Sequence, residues 1–533
     1  MDRRAFLQTA AAAALATSLP ETAAASPNAV ASTPSALPES ASAPYARAAS
    51  TASPKYARAA STTRAATPNK KTIGIQVGAV SFVDEGTEKV LDNFQQYADV
   101  NTLFLATFTY GRGIAGRQIP GQPLPDHGKQ QYDTTTFTGG NYATIHPQYY
   151  KNTVFHGTRA TELGNYDVLA NVIPAARKRN LKTICWFEDA FRSNLPNISA
   201  LQEIDLSGNH ADTVCFNNPN YRNFLLGIVE DWSRSYDIDG IMWCSERQGA
   251  FSNALGAEQE GRDINPYQVT CFCPFCIQKA KDRGINPDRA RQGYLALAAF
   301  VTAARKSQRP VDGYYVEVWR LMLRYPELLA LEMLWTDSLR ETYAAIYHHV
   351  KQINPALGVG WHISSTNSFN PIYRAEQDLA ALAPNSDFIK IVMYNNCAGE
   401  RMAGYISSVS QTLYGDVPPQ QLLDFHYRVL NYQEKPLAQI PFTGFSSDYV
   451  LRETQRSRAG LAGTNTLLWS GIDVDIPTEP THSKCSPDGV RDAVLAAFHG
   501  NADGIILSRK YSEMKLTDLA GAQAALHQLH LAT

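Results

Sequence analysis

Eight short apolar runs, separated by longer stretches of helical character, constrain this sequence more than any other feature. They begin at Thr72 (TIGIQVGAV), Asn101 (NTLFLATF), Leu181 (LKTICWFE) and Asp239 (DGIMWCSE). Four more begin at Leu357 (LGVGWHIS), Phe388 (FIKIVMY), Asn465 (NTLLWSGID) and Asp503 (DGIILSR). Several are apolar almost throughout, which is the pattern of parallel strands covered on the outside by helices. Stretches such as YRNFLLGIVEDWSRSY and DSLRETYAAIYHHVKQI read as the helices between them. Eight strand–helix units predict an α/β fold, a (β/α)8 TIM barrel over residues 71–533. An open doubly wound sheet is the alternative. The Gly-rich dinucleotide fingerprint that would favour it does not follow the first strand.

The barrel reading sorts other residues by position. Asp239 and Asp503 each open an Asp-Gly-Ile strand start, and they are expected at the N-terminal face in structural roles. Long segments run from Gly111 to Tyr166, from Arg247 to about Ala330 and from Asn395 to about Gly463. All three would emerge at the C-terminal face, where barrels build their sites, and long loops there shape a binding cleft.

The chain opens with MDRRAFLQTAAAAALATS. Arg3 and Arg4, followed in register by Phe6 and Leu7, predict a twin-arginine export signal over residues 1–25. Its apolar run is too short for a membrane span. The expected location is periplasmic or secreted, with no membrane association once the signal is removed. Residues 26–70 are rich in Ala, Ser, Pro and Thr, and YARAAS occurs at both Tyr45 and Tyr56. Such a composition cannot bury a core and predicts a disordered linker. The net charge of -2 offers no electrostatic footprint for nucleic acid.

CFCPFC, at Cys271 to Cys276, places three cysteines in six residues. Tetrahedral zinc wants four ligands, and Cys215 lies upstream, after the third strand. Loops that follow adjacent barrel strands are neighbours, so Cys215, Cys271, Cys273 and Cys276 form a candidate structural metal site. Disulfide bonding is the alternative in an oxidising compartment. Cys185 and Cys244 fall inside strands and read as small buried residues. Cys397 and Cys485 follow strands six and seven and are candidates to pair.

The arrangement of a Cys, a Pro-x-Tyr-Arg helix start, a fourth strand ending in Glu and then Cys-x-Cys-x-x-Cys resembles the family-42 glycoside hydrolases, the β-galactosidase type, and related barrel hydrolases. The resemblance covers about Cys215 to Lys279. It implies zinc on the four cysteines, a carbohydrate substrate, and Glu246 as general acid/base. Two departures stand out: Ser245 occupies the position where the family has Asn, and strand seven ends in LLWSGIDVDIP rather than Glu.

Glycoside hydrolysis needs two carboxyl groups flanking the scissile bond. Strand ends offer Glu188, Asp189, Glu246, Glu400, Asp473 and Asp475. Glu246 is the expected acid/base, and Asp473, across the mouth at the end of strand seven, is the expected second carboxylate. Asp475 comes next, followed by Glu188 and Asp189. Trp186, Trp361, His362, Tyr394 and Arg509 lie at or near strand ends as candidates to stack on a sugar ring or bind its hydroxyls, with Glu188 and Asp189 beside them. A carbohydrate lyase or isomerase on the same barrel, or a non-catalytic sugar-binding protein, fits the same residues.

Overall fold

The computed structural model describes residues 71–110, 115–133, 135–257 and 265–531. The export signal and linker expected over residues 1–70 lie outside the described residues. The barrel strands are β1 (Thr72–Gly78), β2 (Thr102–Thr109), β3 (Lys182–Glu188) and β4 (Gly240–Cys244). They continue with β5 (Gly358–Ile363), β6 (Phe388–Val392), β7 (Leu467–Asp473) and β8 (Gly504–Ser508). Each pairs in parallel with the next, and β1 pairs with both β2 and β8, so the sheet closes on itself. The expected (β/α)8 barrel is present, and each of the eight apolar runs forms one of its strands.

Side chains alternate between two cores. Those pointing inward include Phe104, Ile184, Trp186, Met242, Phe388, Trp469 and Ile506, which fill the barrel. Phe388 and Trp469 stack at 3.9 Å between ring centroids. Gly360 on β5 makes room for them, because a Cβ there would lie 2.3 Å from a Phe388 ring carbon. Outward side chains such as Ile241, Ile389, Leu468 and Ile505 pack under the helices. DSLRETYAAIYHHVKQI forms the end of the long helix Glu327–Ile353, and YRNFLLGIVEDWSRSY lies largely within Pro219–Ser235.

Cross-strand register sets the height of each inward residue. Glu188 pairs with Cys244, Cys244 with His362, His362 with Lys390, and Lys390 with Trp469. Glu188 and Cys244 are the last residues of their strands, whereas Lys390 is the middle one of β6. The row therefore slopes from the C-terminal mouth at β3 to mid-height at β6. Strand tilt and stagger in a closed barrel require such a slope.

At the opposite face one device repeats four times. The residue just before each even-numbered strand accepts a hydrogen bond from the second backbone N–H of the preceding odd-numbered strand. Asn101 Oδ1 accepts from Ile73 at 3.0 Å and Asp239 Oδ2 from Thr183 at 2.6 Å. Asp387 Oδ2 accepts from Val359 at 2.8 Å and Asp503 Oδ2 from Leu468 at 2.9 Å. Asp239 and Asp503 thus hold the structural positions expected of them, and Asn101 and Asp387 do the same work without the Asp-Gly signature.

Of the long segments, that between β4 and β5 is mostly helical, with Pro274–Asp282, Pro287–Ala304 and Tyr314–Arg324 preceding the long helix. The β3–β4 segment carries an antiparallel hairpin, Gln202–Ile204 with His210–Val214. These strands are short and largely polar, so the apolar pattern does not announce them. Asp239→Ala should cost about 1–3 kcal/mol, the usual consequence of leaving a buried amide unsatisfied. Denaturant unfolding would measure it; an unchanged midpoint would show that the β3–β4 latch contributes nothing.

Candidate functional site

A cavity of about 790 Å³ opens at the C-terminal end of the barrel. Of the residues proposed from sequence, Trp186, Glu188, Glu246, His362, Tyr394 and Arg509 all line it. Gln76 on β1, with Glu400 and Arg401 from the helix Asn395–Val409, contributes further polar groups.

Glu246 lies two residues past the end of β4 with its side chain 42% exposed. Its Oε1 lies 3.1 Å from His362 Nε2. His362 is buried, and burial pushes its pKa down to about 4, with Lys390 acting in the same direction and Glu246 opposing. The ring is therefore neutral above that pH and carries one N–H. Donated from Nε2, it steadies the Glu246 carboxylate without neutralising it. Glu188 Oε2 accepts a hydrogen bond from Thr109 Oγ1 at 2.6 Å. Trp186 is buried in the barrel interior, and among the described residues its indole N–H has no hydrogen-bond partner.

Both neighbours of Glu246 in the chain are tied down. Ser245 Oγ donates to Asp189 Oδ2 at 2.7 Å, and Arg247 Nε donates to the same oxygen at 3.0 Å. Arg247 also pairs with Glu203 at 3.2 Å, and its guanidinium lies 4.1 Å from the centre of the Phe216 ring. Glu203 in turn accepts from Thr213 and Thr270 at 2.6 and 2.7 Å. Asp189, proposed from sequence beside the substrate, is thus a buried anchor beneath the Glu246 loop rather than part of the cavity lining.

Asp473 also differs from its neighbours at the mouth. It is 1% exposed and does not line the cavity. Its Oδ2 accepts from the Cys397 amide at 3.0 Å and its Oδ1 from the Ile476 amide at 3.2 Å. Burial raises its pKa to about 6 against those two hydrogen bonds. The arrangement satisfies an otherwise orphaned amide in the first turn of the helix Asn395–Val409. Asp475 is likewise absent from the lining, with Oδ2 accepting from the Lys515 amide at 2.8 Å. Trp361 points out of the barrel: its indole donates to the Asn385 carbonyl at 3.0 Å, and its ring lies 4.4 Å from that of Tyr343.

Lys390 was not among the residues singled out from sequence, although a lysine in the middle of FIKIVMY marks it. Its ammonium is fully buried beneath the cavity, donating to Gln76 Oε1 at 2.7 Å and Tyr394 OH at 3.0 Å. Burial pushes its pKa down to about 7, while Cys244, Glu246 and Glu188 pull it back up. The amine therefore changes charge near neutrality while holding two residues of the cavity floor.

The four cysteines come together as expected. Cys215 Sγ lies 3.5 Å from both Cys273 Sγ and Cys276 Sγ, and all four thiols are buried and free of disulfides. A metal about 2.3 Å from each sulfur would place tetrahedral sulfurs about 3.8 Å apart. Cys273 is pushed well below the ordinary thiol range by hydrogen bonds from Cys215, Cys271 and Cys276, and Asn217 Nδ2 donates to Cys276 Sγ at 3.3 Å. The donor set and spacing fit a closed metal site. Cys397 and Cys485 are free thiols as well. A further group of three donors, Cys244, Glu246 and His362, lies within 4.8 Å inside the cavity region.

No protein-family model matches the chain, and no curated protein matches it. Among solved structures, it is similar to α-L-fucosidase isoenzyme 2 from Paenibacillus thiaminolyticus at 12% identity, covering 86% of this chain and 49% of that one, with a TM-score of 0.44. A β-galactosidase from the haloarchaeon Halorubrum lacusprofundi matches at 14% identity over 87% of this chain and 58% of that one, with a TM-score of 0.46. The PgaB glycoside hydrolase domain from Bordetella bronchiseptica matches at 12% identity over 86% and 98%, with a TM-score of 0.44. The chain therefore spans about half of the fucosidase and less than two thirds of the galactosidase.

The charge of Lys390 has a measurable consequence. Below pH 7 the amine is protonated in both the folded and the unfolded chain, and burying that charge costs stability. Between about 7 and the ordinary lysine value of 10.5, the unfolded chain holds a proton that the folded one has lost, so stability rises with pH through that window. Lys390→Met removes this titration. Its stability relative to the natural chain should be most favourable below pH 7 and should fall steadily toward pH 10, by up to about 1.4 kcal/mol per pH unit. Chemical unfolding at several pH values checks this, and a difference independent of pH would refute the buried titration.

Proposed function

We propose that the protein is a glycoside hydrolase that cleaves a glycosidic bond in an oligo- or polysaccharide, with Glu246 as general acid/base and Glu188 as the second carboxylate. The observation carrying this reading is the convergence of these two glutamates on one cavity at the barrel mouth, with their strands adjacent and each carboxylate held by a neighbouring donor. Two carboxyl groups on one cleft are what glycoside hydrolysis requires. Glu188 takes the role that strand order alone would give to Asp473, because Asp473 does not line the cavity and both its oxygens are engaged by backbone amides. Trp186, His362, Tyr394 and Arg509 would contact sugar hydroxyls, and zinc on the four cysteines would hold the loops after β3 and β4 without taking part in the chemistry.

Glu246→Gln should lose about 10²- to 10⁴-fold in rate on unactivated glycosides, the range for general acid catalysis. It should lose far less on aryl glycosides, whose leaving groups need no proton. Glu188→Gln should fail on both. A folded Asp473→Asn variant without turnover, beside an active Glu188→Gln, would return the role to Asp473. A protein that turns over nothing in a broad glycoside panel would refute the hydrolase reading altogether.

For the metal, purified protein should hold one zinc on these four thiolates, and Cys273→Ser should release it and lower the yield of folded protein. Disulfides among the four cysteines, found by intact mass and thiol titration, would exclude zinc there.

A further inference from the structure

Beside the cavity, away from the four cysteines, three donors of mixed chemistry meet. Asp475 follows the end of β7, Cys485 lies in the segment leading to the helix Pro487–His499, and Asp518 sits in the first turn of the helix Leu516–Gln528. One ligand atom from each lies within 4.8 Å of the others. Asp518 is 2% exposed, and its Oδ2 has no hydrogen-bond partner. Asp475 is held in a left-handed backbone conformation at φ 55°, with Oδ2 accepting from the Lys515 amide. Cys485 Sγ lies 3.5 Å from the Asp473 carbonyl.

This geometry poses a charge problem. Two carboxylates this close, Asp518 buried and Asp475 largely so, are not both ionised unless a cation lies beside them. Lys515 Nζ, 3.8 Å from Asp475 Oδ1 and 34% exposed, offsets one charge from the side. That still leaves Asp518 with a buried oxygen lacking a partner. A proton alone would satisfy the carboxylates, while the Cys485 thiol donates to the Asp473 carbonyl at 3.5 Å. A cation that accepts both oxygen and sulfur ligands would use all three groups.

We propose that Asp475, Cys485 and Asp518 form a metal site, separate from the four-cysteine cluster, for a divalent cation of the zinc class. Thiolate ligation selects against magnesium and calcium, which take oxygen donors, whereas carboxylate and thiolate together suit zinc. Binding would displace the thiol proton, as metal ligation by cysteine requires. The cation would join the end of β7, the loop at Cys485 and the helix after β8. Ile476 and Pro477, next in the chain after Asp475, line the cavity, so the site would stiffen one of its walls. The inference does not rest on the glycosidase reading.

The test counts metal. Full-length protein is stripped with a chelator, equilibrated with zinc at neutral pH and assayed for zinc per chain. The same is done for Asp518→Asn, Cys485→Ser and Cys273→Ser. The natural chain should hold one zinc more than either Asp518→Asn or Cys485→Ser. The Cys273→Ser chain should retain this second zinc even where the four-cysteine site is lost. With cobalt in place of zinc, Cys485→Ser should lose part of the thiolate charge-transfer absorption. Equal zinc in the natural chain and in folded Asp518→Asn and Cys485→Ser overturns the proposal and assigns the pair a shared proton. Circular dichroism establishes folding; where Asp518→Asn does not fold, the nearly isosteric Cys485→Ser decides alone.

Discussion

The candidate site depends on one largely buried cation, its side chain 12% exposed. Arg247 sits directly after Glu246 and is enclosed by Asp189, Glu203 and the face of Phe216. Removing one partner from such a network leaves an uncompensated buried charge, so the group holds its geometry or the region fails as a whole. Asp189 comes from the end of β3 and Glu203 from the hairpin that follows it. Phe216 is next to Cys215, and Thr270, which donates to Glu203, is next to Cys271. The cysteine cluster and the Glu246 loop are therefore two ends of one rigid assembly. Its mechanical purpose is plain: the segment after β4 is long, and without an anchor a carboxylate at its start would wander.

A second influence acts from beneath. The sloping register brings Lys390 on β6 into the same row as Glu188, Cys244 and His362, but lower in the barrel. The cavity lining carries Glu188, Glu246 and Glu400 beside Arg401 and Arg509, and beneath it lies an amine that gains or loses its proton near neutrality. His362, kept neutral by burial and by that amine, passes no charge of its own to Glu246. Local burial, rather than direct ion pairing, thus sets the electrostatics of the cavity floor.

The barrel was legible in the sequence because its signal is hydrophobic and repeated eight times. Glu246 and Tyr394 were legible because they follow apolar strands closely, and His362 because it interrupts the end of one. Asp473 illustrates what a strand end does not disclose. It and Glu188 occupy equivalent positions, but the helix Asn395–Val409 begins beside β7 and claims the Asp473 carboxylate for its amides. Which neighbour competes for a side chain is a matter of tertiary packing. Gln76 and Lys390 left a visible trace, as polar residues interrupting apolar strands, whereas the roles of Asp189 and Arg247 exist only through contacts between segments far apart in the chain.

The latches at the N-terminal face give the barrel two kinds of seam. The β1–β2, β3–β4, β5–β6 and β7–β8 seams each carry a side-chain bond in addition to the backbone ladder. At the other four, among the described residues, the residue before the strand accepts no such bond from a strand amide; Lys71 and Thr466 donate instead to the carbonyls of Ala502 and Ser386, at 2.8 and 3.0 Å. The closed sheet is in this sense a ring of four staves, each a strand pair closed at its base. Glu188 and Glu246 then belong to a single stave, while Lys390 and His362 belong to the next, so the space between carboxylates and amine straddles a plain seam. At the mouth, the contact of His362 Nε2 with Glu246 Oε1 at 3.1 Å is what joins these two staves.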